Sequence, residues 1–187
     1  MEPIFELETK RLVLKPINHE DWPLFERLHT TSEVMQFVSD ADSAENIKNR
    51  FESRLGQWHK SMDKWLTLTM FEKHSGKKVG VTGLFPEWQP YQQAELGFLL
   101  SPEFQGLGYG KESTKVLIDF AFSQLKFHKL KATVTKGNEP SFNLLVNLGF
   151  VHEGTLRDNF KLNNQWYDDL KLGLLADEFF NQAPSVG

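Results

Sequence analysis

The stretch QGLGYGK, residues 105–111, sets glycines at 106, 108 and 110 between a glutamine and a lysine. Glycine loses the most conformational freedom on folding. Three at alternate positions therefore imply backbone that must turn tightly or come very close to a ligand. A glycine loop that runs into a helix presents several backbone N–H groups at the helix N-terminus, where the macrodipole adds partial positive charge. A diphosphate fits such a place without dedicated arginines. Three other readings compete. A P-loop requires G-x-x-x-x-G-K-[ST]. Gly110-Lys111 match it, but Gln105 stands at its first glycine and Glu112 at the hydroxyl residue that would hold Mg²⁺. A dinucleotide fingerprint requires G-x-G-x-x-G in an early βαβ unit, whereas the spacing here is G-x-G-x-G, deep in the chain. The third is a tight turn packed for its own sake.

The composition removes other chemistries. The chain has no cysteine, which excludes disulfides, zinc–thiolate sites and a cysteine nucleophile. His59, His74, His128 and His152 have no metal-ligand spacing, so no metal is expected. A formal net charge of −4 argues against a broad nucleic-acid surface and is compatible with a cationic substrate. No apolar run reaches the ~18 residues of a membrane span. The opening MEPIFELETKRL is acidic and interrupted by Pro3, unlike a signal peptide. A cytoplasmic protein, monomer or homodimer, is the expectation.

The glycine loop needs elements to hold it. KRLVLKP (10–16) alternates and ends at Pro16, which predicts a strand. NHEDWPLFERLHT (18–30) opens on Asn18 as a helix cap, and SAENIKNRFESRLGQWHK (43–60) on Ser43. In the second segment Ile47, Phe51, Leu55 and Trp58 fall on one helical face. WLTLTMFEK (65–73) and KVGVTGLF (78–85) flank a glycine-containing turn and predict a hairpin. QAELGFLL (93–100) predicts a strand leading to the loop, and STKVLIDFAFSQL (113–125) a helix leaving it. KLKATVT (129–135) predicts a further strand. PSFNLLVNLG (140–149) predicts a short helix with proline in its first turn and glycine at its end. Residues 150–162 and 165–175 flank Asn163-Asn164 as a second hairpin. The 187 residues favour one domain, placed at 4–182 with a loose tail at 183–187. Strands with helices between them imply a sheet covered by helices.

With these elements in order, the chain resembles the GNAT superfamily of acetyl-CoA-dependent N-acetyltransferases. AELGFLL, SPEF and Gln105-Gly106-Leu107-Gly108-Tyr109-Gly110 fill its strand and its [QR]-x-x-G-x-[GA] loop. Asn138 and Ser141 in GNEPSFNLLVNLGFVHEGTLR are similar to the asparagine-x-x-serine stretch and "LGF…EG" run of one branch. That branch holds the ribosomal-protein N-terminal alanine acetyltransferases. TKRLVLKPI and WYDDLKLGLL resemble its two ends, so the likeness covers nearly the whole chain. It implies an α/β (α+β) fold: one mixed, mostly antiparallel twisted sheet of about seven strands flanked by helices. It also implies acetyl transfer from acetyl-CoA to a primary amine by direct attack in a ternary complex. The acceptors implied are a ribosomal or other protein or peptide N-terminus, a small amine or an amine antibiotic. A non-catalytic acyl-CoA-binding module on the same fold is the reading from another class.

The resemblance also implies roles. Backbone N–H groups of Gly106, Leu107, Gly108, Tyr109, Gly110 and Lys111 would take the diphosphate, with Gln105 bracing the loop. Phe98, Leu99 and Leu100 would offer backbone bonds to the pantetheine and polarise the thioester carbonyl, besides packing the core. Asn138 either bonds the pantetheine amide or shapes the turn before Pro140. Ser141 either stabilises the departing thiolate or caps its helix. Deprotonation of an amine of pKa ~8 to ~10.4 needs a base. Glu95, on the strand leading to the loop, is one candidate. The branch more often places a glutamate in the second-last strand region, where this chain carries Asn159 and Phe160 and offers Asp158 as the nearest carboxylate. Trp22, Phe37, Trp58, Trp88 and Tyr91 would wall the acceptor groove or, above all for Trp58, fill the core.

Overall fold

The computed structural model describes residues 6–182. The predicted tail 183–187, the domain start at residue 4 and Pro3 lie outside the described residues. Eight strands form one sheet: β1 (Leu7–Glu8), β2 (Leu12–Pro16), β3 (Leu66–Glu72), β4 (Lys78–Glu87), β5 (Gln93–Leu100), β6 (Lys129–Thr135), β7 (Val151–Leu162) and β8 (Gln165–Leu175). Their spatial order is β1-β2-β3-β4-β5-β6-β8-β7. Every pairing is antiparallel except β5 with β6. The mixed, mostly antiparallel sheet is thus as expected, with the two-residue β1 as an addition.

The parallel pair positions everything that follows. β5 and β6 are in register only at Gln93–Lys129, Ala94–Leu130 and Glu95–Lys131. Beyond these residues the strands part, while β5 stays paired to β4 through Leu100 and β6 stays paired to β8 through Thr135. The remainder of β5 presents an unpaired backbone edge.

Helices cover both faces. On one, α4 (Tyr109–Ser123) and α5 (Glu139–Val146) pack with Leu66, Leu68, Met70, Ala94, Leu96 and Leu130 of the strands. On the other, α1 (Trp22–Thr30), the short α2 (Ser32–Met35) and α3 (Ala44–Glu52) bury Leu24, Phe25, Leu28, Ile47 and Phe51 against Ile17 and Val81. The seven-residue helix α6 (Ala176–Gln182) follows β8. Successive strand side chains point to opposite faces, so Ala94 and Leu96 join the α4 side and Leu99 the α1–α3 side. Among the described residues no helix is long and apolar enough to cross a membrane.

Local chemistry explains the boundaries. Asn18 accepts from Glu20 N–H (2.8 Å) and donates its own N–H to Asp21 (3.0 Å); this capping box nucleates a 3₁₀ turn that leads into α1. Ser43 caps α3 through Asn46 N–H (3.1 Å). The helix expected over 43–60 is much shorter, however, and ends at Glu52. Gly56 adopts φ +82° four residues later. Leu55 packs with the α1–α3 cluster, whereas Trp58 packs on the opposite cluster. Helix α4, by contrast, begins four residues earlier than expected, at Tyr109. Asn163 and Asn164 both take positive φ (49° and 63°), as a two-residue type I′ hairpin requires.

Candidate active site

The glycine loop is built as a cradle. After β5, a 3₁₀ turn (Pro102–Phe104) leads into Gly106 (φ +71°) and Gly108 (φ +83°), and Gly108 directly precedes α4. The N–H groups of the first helical turn lack intrahelical acceptors, so those of Tyr109, Gly110 and Lys111 open toward the loop. Gln105 donates from Nε2 to Leu100 O (3.2 Å), which ties the loop to β5. A Cβ on Gly110 would lie 3.0 Å from Leu144 Cδ1 and 3.1 Å from Leu100 Cδ1; here glycine permits close packing of α4 on α5 and β5. Leu107 and Lys111 are exposed. The Tyr109 phenol instead turns inward and bonds to Glu72, leaving only its backbone for a ligand.

Arg11 fixes the cradle from below. Its Nη1 donates to Leu107 O (2.9 Å) and its Nε to Glu112 Oε2 (2.7 Å). Thr9 Oγ1 and Arg11 N–H donate to the other Glu112 oxygen (2.6 and 2.8 Å). Burial raises the Glu112 pKa, but these donors outweigh it and hold the carboxyl below its ordinary range. Glu112, at the Mg²⁺ position of a P-loop, is therefore a bracket between α4 and the β1–β2 turn.

The gap between the splayed strands continues into a cavity of about 500 Å³, within the size of small-molecule sites. Its floor is β5. Phe98 and Leu100 pack into one core and Leu99 into the other, leaving the β5 backbone at the open edge. Asn138 and Ser141 enter from the start of α5. Asn138 Oδ1 accepts from Ser141 N–H (3.3 Å), so Asn138 caps the helix and still has its amide NH₂ to offer. The two readings of Asn138 are compatible.

Two carboxylates line the cavity. Glu95 is half-buried and joins no ion pair among the described residues; its register partner Lys131 is bound to Glu87 (2.6 Å). Asp169 on β8 is 7% exposed and accepts from Asn159 Nδ2 (2.7 Å). Asp158 is elsewhere. The β7 register shifts between Leu156 and Phe160, and the displaced residues carry Asp158 at φ +47°, exposed, with its N–H on Asp168 Oδ1 (3.1 Å). The bulge turns Phe160, and not Asp158, into the cavity.

The expected aromatic wall is also largely replaced. Phe37 lines the cavity. Tyr91 is 63% exposed. Trp88 stands edge-on to Phe127 (5.5 Å) under Lys60, and Trp58 donates to Lys64 O (2.8 Å). Trp22 packs edge-on to Phe51 (5.3 Å), outside this cavity. Phe25, Trp65 and Phe160 take their places. Gly97 makes room for Trp65, whose Cη2 would lie 3.2 Å from a Cβ there.

His29 and Arg54, neither of them marked by a motif, line the cavity as well. His29 stacks on Phe25 (4.1 Å), and its Nδ1 lies 2.8 Å from Phe25 O. A carbonyl can only accept, so Nδ1 carries the proton. Burial lowers the His29 pKa to about 4; the Phe25 carbonyl opposes this and Arg50 and Arg54 add to it. Because the folded pKa lies below the unfolded value of 6.5, the fold favours the neutral ring. The contribution is complete above pH ~6.5 and declines as pH falls toward ~4, by at most ~1.4 kcal/mol per pH unit, roughly 3 kcal/mol in all. Urea unfolding of the native chain and His29→Gln at pH 7 and pH 4.5 measures this. The variant is expected to lose about 2 kcal/mol less between the two pH values; equal losses would show that His29 is not the acid-sensitive group.

Known proteins resemble this chain in sequence and in fold. The sequence profile of the family described as acetyltransferase (GNAT) domain matches residues 11–151. The spermidine N(1)-acetyltransferase of Escherichia coli K12 is 23% identical over 176 residues, covering 93% of this chain and 91% of the relative. A solved spermidine N-acetyltransferase from Vibrio cholerae, in complex with CoA and spermine, superposes with a TM-score of 0.81 at 20% identity, over 92% of this chain and 100% of that one. The ribosomal-protein-S5-alanine acetyltransferase from Vibrio fischeri gives 0.77 at 20% identity, over 94% and 98%. Among the described residues no three His, Asp or Glu side chains are grouped to hold a metal ion.

Proposed function

The chain belongs to the GNAT acetyltransferase family, and from that premise we propose that it moves the acetyl group of acetyl-CoA directly to the primary amine of an acceptor seated in the cavity beside β5. The observation that carries this reading is the continuity of two features. The glycine cradle follows directly on β5, and the unpaired edge of that strand borders an open cavity lined by Glu95, Asp169 and Ser141.

When bound, acetyl-CoA supplies an activated acyl thioester. The residues of this chain then divide the work. Backbone N–H groups from Gly106 to Lys111 hold the diphosphate. The edge backbone of Phe98, Leu99 and Leu100 pairs with the pantetheine as an added strand would, and one of its N–H groups faces the developing oxyanion. The Asn138 amide reaches the same chain. Glu95 takes the ammonium proton, directly or through water. The Ser141 hydroxyl, whose backbone alone is engaged, bonds to the departing sulfur; a hydroxyl is a weak acid, so thiolate stabilisation is its role. The absence of cysteine leaves no cysteinyl acyl-enzyme. The acceptor is a peptide N-terminus or a small amine, and the place of reaction is the cytoplasm.

Thiol release from acetyl-CoA across a panel of amines tests the reading. The panel holds peptides beginning with Ala, Ser or Met, free amino acids, polyamines and amine antibiotics. Amine-dependent release with one class is the expected result. Acetyl-CoA that raises the melting temperature without any release would support a binding module. No thermal shift at all would remove coenzyme A from the cradle.

A further inference from the structure

The helix-covered end of the cavity carries a positive group that no carboxylate among the described residues answers. Arg54 follows α3 and lines the cavity. Its Nη1 donates to Thr67 Oγ1 (3.1 Å), and its guanidinium lies 5.1 Å from the Trp65 ring and 5.5 Å from that of Phe25. Its Nε is buried with no hydrogen-bond partner, and among the described residues no carboxylate pairs with it. Burial and the nearby Arg50 lower its pKa to about 10, so it remains charged at neutral pH. Arg50 is itself matched, by Asp42 at 2.8 Å. A second buried polar atom without a partner, Ser39 Oγ, lines the same cavity from the connection after α2.

A desolvated, unpaired guanidinium is costly to keep, and its planar fork of donors suits an oxyanion. The carboxylates of the cavity sit on the strands instead. Thr67, under Arg54, is in register with Gly83 of β4, which is in register with Gly97 of β5. Arg54 therefore stands over a row that crosses β5 two residues from Glu95. The cavity is polar in two senses, cationic beneath the helices and anionic on the strands. We propose that the acceptor is an amine that also carries a carboxylate: Arg54 and Ser39 take the carboxylate, and the amine faces Glu95 and Asp169. A free amino acid and a peptide with an acidic residue at its start both have this chemistry. A polyamine does not, since it would set an ammonium against Arg54 and Arg50. This inference rests on the acetyl-transfer reading and narrows its acceptor.

The test is acetylation kinetics with matched amines: amino acids, their carboxamides and their decarboxylated counterparts, with spermidine and with dipeptides beginning in Asp or Ala. The expected kcat/KM for carboxylate-bearing members exceeds that of the carboxamides about tenfold or more. R54Q is expected to bring that ratio to within about twofold of unity, through KM, with R54K intermediate because it keeps the charge and loses the fork. Calorimetric titration with coenzyme A verifies that both variants retain the cradle. A preference for carboxamides or spermidine overturns the proposal, as does an R54Q variant that lowers both members of each pair equally. If nothing is acetylated, the acetyl-transfer reading fails separately. Titration of N-acetyl amino acids and their amides into the coenzyme-saturated protein then decides: Arg54-dependent preference for the carboxylate supports the proposal, and equal binding overturns it. Free amino acids and acidic dipeptides are told apart by which of them gives the higher kcat/KM.

Discussion

Gly108→Val is expected to weaken coenzyme A binding at least 100-fold and to leave a folded protein. Gly108 occupies φ +83° directly before α4, a region open to glycine and strained for β-branched side chains. The new Cβ would also sit 3.3 Å from Arg11 Nη2. That contact involves a flexible side-chain end and yields; the backbone strain does not. To relieve it, the loop must swing, and the N–H groups of Tyr109, Gly110 and Lys111 lose their common aim. The fold has little stake in the change, because Gly108 is exposed and α4 is anchored through Glu112 and Arg11. A strain of ~1–2 kcal/mol corresponds to a melting point lower by about 2–8 °C. Gly106→Ala is the graded companion. Gly106 also has positive φ (+71°), but a Cβ there meets nothing within 4 Å, so a smaller loss is expected. Calorimetric titration and thermal melts of both variants measure these effects. Undiminished affinity in Gly108→Val would detach the cradle from coenzyme A.

Glu95→Gln is expected to lower kcat by about 10²–10⁴-fold, the usual share of a general base, with coenzyme A affinity unchanged. Two carboxylates share the cavity, and their surroundings separate their tasks. Asp169 is 7% exposed and already accepts from Asn159 (2.7 Å), an arrangement that orients an acceptor. Glu95 is half-buried, joins no ion pair among the described residues, and stands on β5 beside the edge where that strand leaves β6. It can both receive a proton and pass it to water. Asp169→Asn is accordingly expected to raise KM about tenfold and change kcat less than Glu95→Gln does. Single-turnover rates on the two variants, with the same amine, rank them. If Asp169→Asn suffers the greater loss in the chemical step, the base is Asp169.

Local chemistry was legible wherever one residue type serves one purpose. The paired asparagines predict a type I′ turn, the alternating KLKATVT coincides with β6, and the glycines of the cradle stand where positive φ or close packing demands them. Periodicity misled where a chain segment crosses from one core to the other. Leu55 and Trp58 continue the spacing of Ile47 and Phe51, yet they pack on opposite faces of the sheet. The place of Asp158 was not legible in sequence, since the β7 bulge decides that Phe160 faces the cavity in its stead, and Asp169 on β8 carries no motif. Arg54, His29 and Trp65 belong to no motif. Their signal is a meeting of α1, α3 and β3 that requires the tertiary fold. A half-buried arginine without a carboxylate among the described residues can be seen only once its neighbours are known.

The seam between β5 and β6 has a consequence for how the molecule comes apart. The ladder crosses from the β1–β5 half of the sheet to the β6–β8 half at three register pairs, while β4 and β5 share eight and β6 and β8 share seven. Opening free energies differ across a structure and follow such cooperative units. The two halves are thus candidates for separate foldons, joined by α4 and a narrow hinge of backbone bonds. A molecule lodged in the splay touches both, and its binding energy is added only to states in which they remain docked. Coenzyme A would then act as a brace as well as a reactant: amide exchange in β6 and β8 slows with it, and unfolding that proceeds in two stages without it merges into one.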